Sequence, residues 1–372
     1  MTEAIHLVLY CFITCIVINF LYYIIFFQRL ITFKNSTIIK YPPKVPVSVI
    51  ICAKNEAENL KNLIPELANQ NYPSYEIIVV NDNSTDKTKE VVEEFQLIYS
   101  NLKLVIVRQV EAFWGNKKYA LTLGIKSALH EHLLFTDADC IPINNNWISE
   151  MSSKFDDQKS IVLGYSGYYK IKHSIINKII RFETLLTASQ YLSYASYKTP
   201  YMGVGRNLAY KKSLFFKANG FHNHMKIKSG DDDLFVNQNS NSWNTAININ
   251  PESFTLSIPK DSFKSWFRQK RRHLSTSKYY QRKHKLLLGL FFVSQLGIWT
   301  FIFILMFSQY SLLASIFMLI KLIYTYIILG FISKKLNEKD LIPFFILLEP
   351  LLILSQLIIF TTNTISKPSH WN

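Results

Sequence analysis

His132–Cys140 reads HLLFTDADC. A short apolar run ends in two carboxylates, Asp137 and Asp139, separated by one alanine. Like charges this close repel, so the arrangement is costly unless positive charge sits between them. In β conformation residues i and i+2 point to the same side, so both acids reach one site at a strand's end. A hard divalent cation, Mg2+ or Mn2+, takes one or two carboxylates and completes its shell with substrate phosphates and water. A solvated loop bearing two surface acids is the alternative.

Three runs of similar texture precede this one: Val45–Ala53 (VPVSVIICA), Tyr75–Val80 (YEIIVV) and Leu102–Val107 (LKLVIV). Polar, helix-compatible stretches lie between them, at Glu56–Gln70, Thr85–Phe95 and Asn116–Leu129. Four strands alternating with three helices predict an α/β fold with a mostly parallel, helix-covered sheet. Ligands of such sheets bind beyond the carboxyl ends of the strands. Those ends carry Lys54, Asn55 and Glu56, then NDNSTD with Asp82, then WGNKK, then FTDADC. Neither a G-x-G-x-x-G fingerprint nor a G-x-x-x-x-G-K-[ST] loop occurs. Further on, apolar residues recur at three and four through Ile175–Tyr197, which predicts an amphipathic helix. It either lies on a membrane or packs on the sheet.

Two other clusters carry charge. Ser229–Phe235, SGDDDLF, opens a predicted helix with three aspartates. Acids cap helix N-termini favourably; a carboxylate aimed at an acceptor hydroxyl would instead act as a general base. Gln269–His273, QKRRH, lies in a basic stretch, where cations meet lipid or aid departure of a diphosphate.

The chain has 372 residues, 49% of them hydrophobic, and a formal charge of +15. That length fits two domains, or one with an appendage. Ile5–Phe27 is 23 residues without Asp, Glu, Lys or Arg, long enough to cross a bilayer. It has neither the basic leader nor the small-residue cleavage site of a signal peptide. Leu286–Phe307 carries no charge, and Ser311–Ser333 carries only Lys321. Ile342–Phe360 contains Glu349-Pro350 and Gln356, which fits either a full span or a re-entrant or interfacial segment. Arg29, Lys34, Lys40 and Lys44 follow the first span, nine Lys or Arg and no acid lie between Lys264 and Lys285, and Lys334-Lys335 follow the third. The positive-inside rule places all these loops, and the middle of the chain, in the cytoplasm. A basic collar facing anionic lipid accounts for much of the charge without nucleic acid. The four cysteines, Cys11, Cys15, Cys52 and Cys140, form no metal or disulfide pattern, which fits a reducing compartment.

Together these stretches resemble the family 2 glycosyltransferases of GT-A fold, and more closely their membrane-embedded branch of cellulose, poly-N-acetylglucosamine and hyaluronan synthases. The resemblance runs from Val45 to Lys278 through VSVIICAKNEAENL, IIVVNDNSTDKT, GNKKYALTLG, FTDADC, GVGRNLAYKKSLFFKANGF, SGDDDLF and QKRRH, in the family's order. It implies a nucleotide edge formed by Ala53, Glu56 and Asp82, with Lys117 near the diphosphate. It implies metal binding by Asp137 and Asp139, and a catalytic base at Asp232 with Asp231 beside it. Gln269 and Arg272 match the Q-x-x-R motif, which implies catalytic roles for both, with Arg272 neutralising the leaving group. Gly203, Gly205, Arg206 and Asn207 fall where the family lines its donor and acceptor pocket.

Two positions depart from the pattern. The usual D-D-G-S is Asn81-Asp82-Asn83-Ser84, with one acid fewer, and the tryptophan of Q-x-x-R-W is His273. In polymerising members that tryptophan is associated with the growing chain's acceptor end. The resemblance implies a membrane-bound, inverting, metal-dependent transferase that moves a sugar from a nucleotide-diphosphate donor, by family default UDP-linked, to a glycan or lipid-linked hydroxyl. A processive polysaccharide synthase is the alternative within the class, and a non-catalytic nucleotide- or glycan-binding scaffold the alternative outside it. The expected organisation is an anchor at 1–30, a GT-A domain at 45–260, a basic juxtamembrane segment at 261–285, about three helices at 286–361 and a tail at 362–372. The expected location is the cell's inner (plasma) membrane, multi-pass, with the catalytic domain cytoplasmic. Nucleic acid is not expected as a partner, because the basic residues border apolar spans instead of forming a reading element.

Overall fold

The computed structural model describes residues 2–34, 45–107, 117–227 and 229–366. Lys40, Lys44 and the Trp114–Asn116 part of the WGNKK loop lie outside them. The chain divides into two compact units. One combines residues up to 33, 172–197 and from 261 on; the other combines 34–171 and 198–260.

The second unit is α/β. Among the described residues its strands are β1 Val47–Ala53, β2 Tyr75–Asn81, β3 Leu102–Ile106, β4 His132–Asp137, β5 Cys140–Pro142, β6 Ile161–Leu163, β7 Ser166–Tyr168, β8 Leu208–Lys211, β9 Thr245–Ile247 and β10 Thr255–Ser257. Seven form one sheet in the order β3-β2-β1-β4-β8-β6-β9. The first four in that order are parallel, and β8 turns antiparallel against β4. The apolar runs form strands because each residue of β1 except Cys52 is buried, as helix cover on both faces requires. The helix Lys117–Ser127 comes so close to the sheet that a Cβ at Gly124 would lie 2.8 Å from Val80 Cγ2 and 2.9 Å from Ile50 Cγ2. Under Ala57–Ala68 and Trp147–Ser152, Leu60, Leu63, Ile64, Trp147 and Met151 join Val49, Ile51, Ile77 and Val79 in one core. A smaller sheet, β5-β10-β7, carries Cys140, Ser257 and Tyr168 side by side.

The first unit is helical. Among the described residues, four of its helices are long and apolar enough to cross a membrane: Glu3–Thr32, Arg282–Leu305, Ser311–Lys335 and Lys339–Ile365. The first includes a π-helical turn at Tyr23–Phe27. It approaches the second so closely that a Cβ at Gly297 would sit 2.5 Å from Cys15 Sγ, the small-residue contact that lets apolar helices pack. The helix Ile175–Ser196, whose periodicity fits either a membrane or the sheet and whose residues fall inside the 45–260 span expected for the α/β domain, belongs to this unit. Tyr194 packs on Phe26 (ring centroids 4.4 Å apart) and Phe182 on Phe345 (5.5 Å). Its buried Arg181 pairs with Glu338 and, at 2.7 Å, with Asp340.

Candidate active site

Strand register builds the site. Ala53 pairs with Asn81 across β1 and β2, and Cys52 with Asp137 across β1 and β4. The ends of three strands are therefore level, and their loops share one edge. The first two loops are tied together. Asn55 Oδ1 accepts from Thr85 N at 2.8 Å, Asn55 N donates to Ser84 Oγ at 3.0 Å, and Ala57 N donates to Asp86 Oδ2 at 3.1 Å. Asp82 N donates to the carbonyl of buried Ala53 at 2.8 Å. Burial raises the carboxyl of Asp82 above its ordinary range against the opposing charge of Lys54. Burial likewise raises that of Glu56, against an Asn59 hydrogen bond.

The two acids of FTDADC do not share an extended strand. Asp137 ends β4, and the chain turns at Ala138-Asp139 before β5. The turn nonetheless gathers their oxygens with Cys140 Sγ, all within 4.8 Å of one another. Burial first, then the charge of Asp137, pushes the carboxyl of Asp139 up, with Arg206 opposing. Two mutually repelling hard oxygen donors fit a divalent cation. Cys140 does not: its thiol is soft, buried and raised by burial, and it shares a 2.7 Å hydrogen bond with Ser257 Oγ.

Positive charge enters through Lys117. Its Nζ lies 2.6 Å from Asp137 Oδ1 and 3.3 Å from Asp231 Oδ2. Burial would lower the ammonium's pKa, but the two carboxylates outweigh it. For Asp231, burial is likewise outweighed by Lys117, and its carboxyl stays below the usual range. Asp232 goes the other way. Burial, then the charges of Asp231 and Asp233, raise it to about 7, even though Gly205 N donates to it. That bond, to Oδ2, is 2.7 Å, and Asp233 N donates to Oδ1 at 2.7 Å. Asp232 is thus the cap of Asp233–Asn239 and also lines the cleft described next.

Lys117, Asp137, Gly205, Asp231 and Asp232 line a single cleft of about 300 Å³, its open mouth included. Cys52, Thr136 and Tyr210 line it too, three residues to which the sequence reading gave no site role. Strand alternation is a signal that could have found Tyr210, which sits in β8 beside β4. The remaining candidates have other surroundings. Arg206 stacks 4.5 Å over the Tyr168 ring and donates to Ser257 Oγ at 2.9 Å. Asn207 is fully buried; its amide donates to Tyr165 O and Ser253 O and accepts from Trp147 Nε1. It supports the site from beneath and does not line the cleft. Gly203 is packed against Leu163 and Leu208. Gln269 and Arg272 lie on Phe263–Leu274 in the helical unit.

A parallel sheet with acids and a lysine at its strand ends, extended by antiparallel strands and a small second sheet, is a GT-A-type α/β fold. Residues 48–218 match the family described as Glycosyl transferase family 2, and this segment is a glycosyltransferase domain of that family. The chain is 27% identical over 240 residues to the probable glycosyltransferase YdaM of Bacillus subtilis, covering 63% of this chain and 55% of that protein. It is 30% identical over 127 residues to the poly-beta-1,6-N-acetyl-D-glucosamine synthase of Staphylococcus epidermidis, covering 34% of this chain and 29% of that one. It thus spans about half or less of the length of these relatives. In fold it is similar to a mannosyltransferase from Pyrobaculum calidifontis solved with GDP-Man and Mn2+, with a TM-score of 0.64 at 17% identity over 99% of this chain and 100% of that one.

Proposed function

We propose that the chain is a membrane-bound inverting glycosyltransferase that moves a sugar from a nucleotide-diphosphate donor to a hydroxyl of a glycan or lipid-linked acceptor. The observation that carries this is one cleft holding a carboxyl poised near neutrality, Asp232, with the Lys117–Asp137–Asp231 charge cluster. A base works best when its pKa lies near the operating pH. Asp232 takes the acceptor proton as that oxygen attacks the anomeric carbon from the face opposite the diphosphate. Lys117 neutralises charge on the leaving diphosphate. Asp82 and Glu56 receive the nucleoside along the strand-end edge, with the Ala53 backbone. Asp137 and Asp139 would hold a divalent cation, Mg2+ or Mn2+, whose charge stabilises diphosphate oxygens. Arg206, beside Asp139, adds positive charge there. Gln269 and Arg272 receive a diphosphate-side role on their sequence motif alone. Positioning and preorganised charge supply most of the acceleration.

The donor is proposed as UDP-linked on the family pattern, although the Pyrobaculum neighbour was solved with GDP-Man. His273 in place of tryptophan favours transfer of one sugar over processive synthesis. The α/β unit is proposed to face the cytoplasm of a cell whose inner membrane holds the four helices. The ammonium of Lys335, after the third helix, donates to the carbonyls of Leu30, Ile31 and Phe33. Tyr22 OH donates to Leu287 O. Arg29, Lys335 and the basic start of Arg282–Leu305 therefore share one end of the helical unit, the end that positive-inside charge keeps in the cytoplasm.

Membranes carrying the protein should convert one of a panel of labelled nucleotide sugars to product, and EDTA should stop the conversion until Mg2+ or Mn2+ is restored. Product size separates single transfer from polymer. Absence of turnover with every donor would favour a binding scaffold, and indifference to EDTA would remove the cation from the proposal.

A further inference from the structure

We propose that Lys118 is a positioning residue: its ammonium staples the loop that delivers Asp231 and Asp232 to the cleft. The catalytic consequence rests on the transferase reading above; the staple rests on geometry alone. Lys118 is 1% exposed on the helix Lys117–Ser127. A buried lysine needs partners for its charge and its three N–H donors. Nζ donates to the carbonyls of His224 at 2.8 Å, Ile227 at 2.7 Å and Ser229 at 2.7 Å. Those carbonyls lie immediately before Gly230-Asp231-Asp232, in a stretch whose described residues from Met225 to Gly230 form no helix or strand. The ammonium thus gathers backbone that no ladder organises.

Beyond the staple the chain is fixed again. Gly230 turns it at φ +94°, where a Cβ would meet Leu234 Cδ1 at 2.5 Å. Gly205 N then holds Asp232 Oδ2 at 2.7 Å. The backbone leading to the two acids is thus held by an ammonium, and the second acid is held again by the Gly205 amide. The consecutive lysines have separate roles. Lys117 reaches the carboxylates of Asp137 and Asp231, and Lys118 reaches the backbone that carries Asp231. Helical phasing puts Lys118 on the buried stripe with Leu121 and Ile125, so its burial is a built feature of the helix and not a surface contact.

Hydrogen exchange of the full-length protein in detergent tests the staple, with parent, Lys118→Met, Lys118→Arg and the exposed-site control Lys126→Met. Amides of 229–234 should exchange at least tenfold faster in K118M, with β1 and β2 unchanged. K118R, which keeps charge and donors, should restore most protection, and K126M should match the parent. With whichever of UDP-glucose, UDP-N-acetylglucosamine and GDP-mannose the parent consumes, kcat of K118M should fall 10- to 100-fold while donor KM stays within threefold. Unchanged exchange at 229–234 in K118M overturns the staple, and a rise in donor KM with kcat intact overturns its positioning role. If K118M loses protection everywhere, K118R decides: a folded K118R with a protected loop supports the staple, and a folded K118R with that loop released overturns it. A parent that consumes no donor counts against the transferase reading, and the exchange result still stands.

Discussion

Asp232 is held by two backbone N–H groups, an arrangement that lowers a carboxyl's pKa. Burial and the charges of Asp231 and Asp233 win against it and leave the group at about 7. Two outcomes follow if Asp232 is the base. The rate should fall as pH drops below about 7, because the protonated form accepts no proton, and a kcat/KM profile without that acid limb would count against the assignment. Asp232→Asn should lower kcat by about 10³-fold or more with donor KM little changed. The same raised pKa bears on stability. The folded state binds a proton between the unfolded pKa of about 4 and the folded one of about 7, so this group's contribution declines as pH rises through that window. Asp232→Asn leaves one of those two N–H groups without an acceptor at every pH, so the pH dependence is the test: its stability relative to the parent should be higher at pH 8 than at pH 5 by on the order of 1–2 kcal/mol after screening. An equal gap at both pH values would show that Asp232 is not destabilised in the fold.

The loop after β2 shows what a sequence can and cannot reveal. Asn81-Asp82-Asn83-Ser84 looks like a degraded D-D-G-S, yet each change has a structural role. Asn81 is buried and its Oδ1 accepts from Ser84 N at 3.1 Å, while Asn83 sits at φ +53°. That left-handed conformation suits glycine and, next best, asparagine. Asn83→Gly should leave stability within about 0.5 kcal/mol, whereas Asn83→Val should destabilise by about 1–2 kcal/mol in denaturant melts. Equal effects would mean that the backbone relaxes out of the left-handed region. The parallel strands were legible because Val- and Ile-rich runs buried on both faces have few other uses, and their polar ends marked the cleft. The three-residue strands β5 to β7, β9 and β10 were not, because only distant pairing partners define them. For Asp139 the expected geometry was wrong, since a turn and not a pleat brings it beside Asp137. Nor could apolar periodicity say which unit Ile175–Ser196 joins, because an amphipathic stripe fits a sheet, a lipid surface or a helix bundle equally.

Charge made the last apolar segments hard to read in sequence, and the same charge organises the helical unit. Lys321 and Glu349, each buried, pair with one another. Gln295 Nε2 donates to Glu349 Oε1 at 3.2 Å, Lys321 Nζ lies 5.7 Å from the Trp299 ring centroid, and Tyr324 OH donates to Asn19 Oδ1 at 3.0 Å. All four apolar helices therefore place polar groups in one interior cluster. Ionisable groups in such helices are costly in lipid unless paired, and mutual pairing removes the objection each charge raised alone. Removing one partner strands the other: Lys321→Met or Glu349→Leu should each destabilise by about 3–5 kcal/mol, whereas replacing both with apolar residues should recover most of the loss. Thermal melts in detergent of the two single variants and the double give the coupling directly. Single losses that simply add in the double variant would show that the pair is not what holds these helices in register.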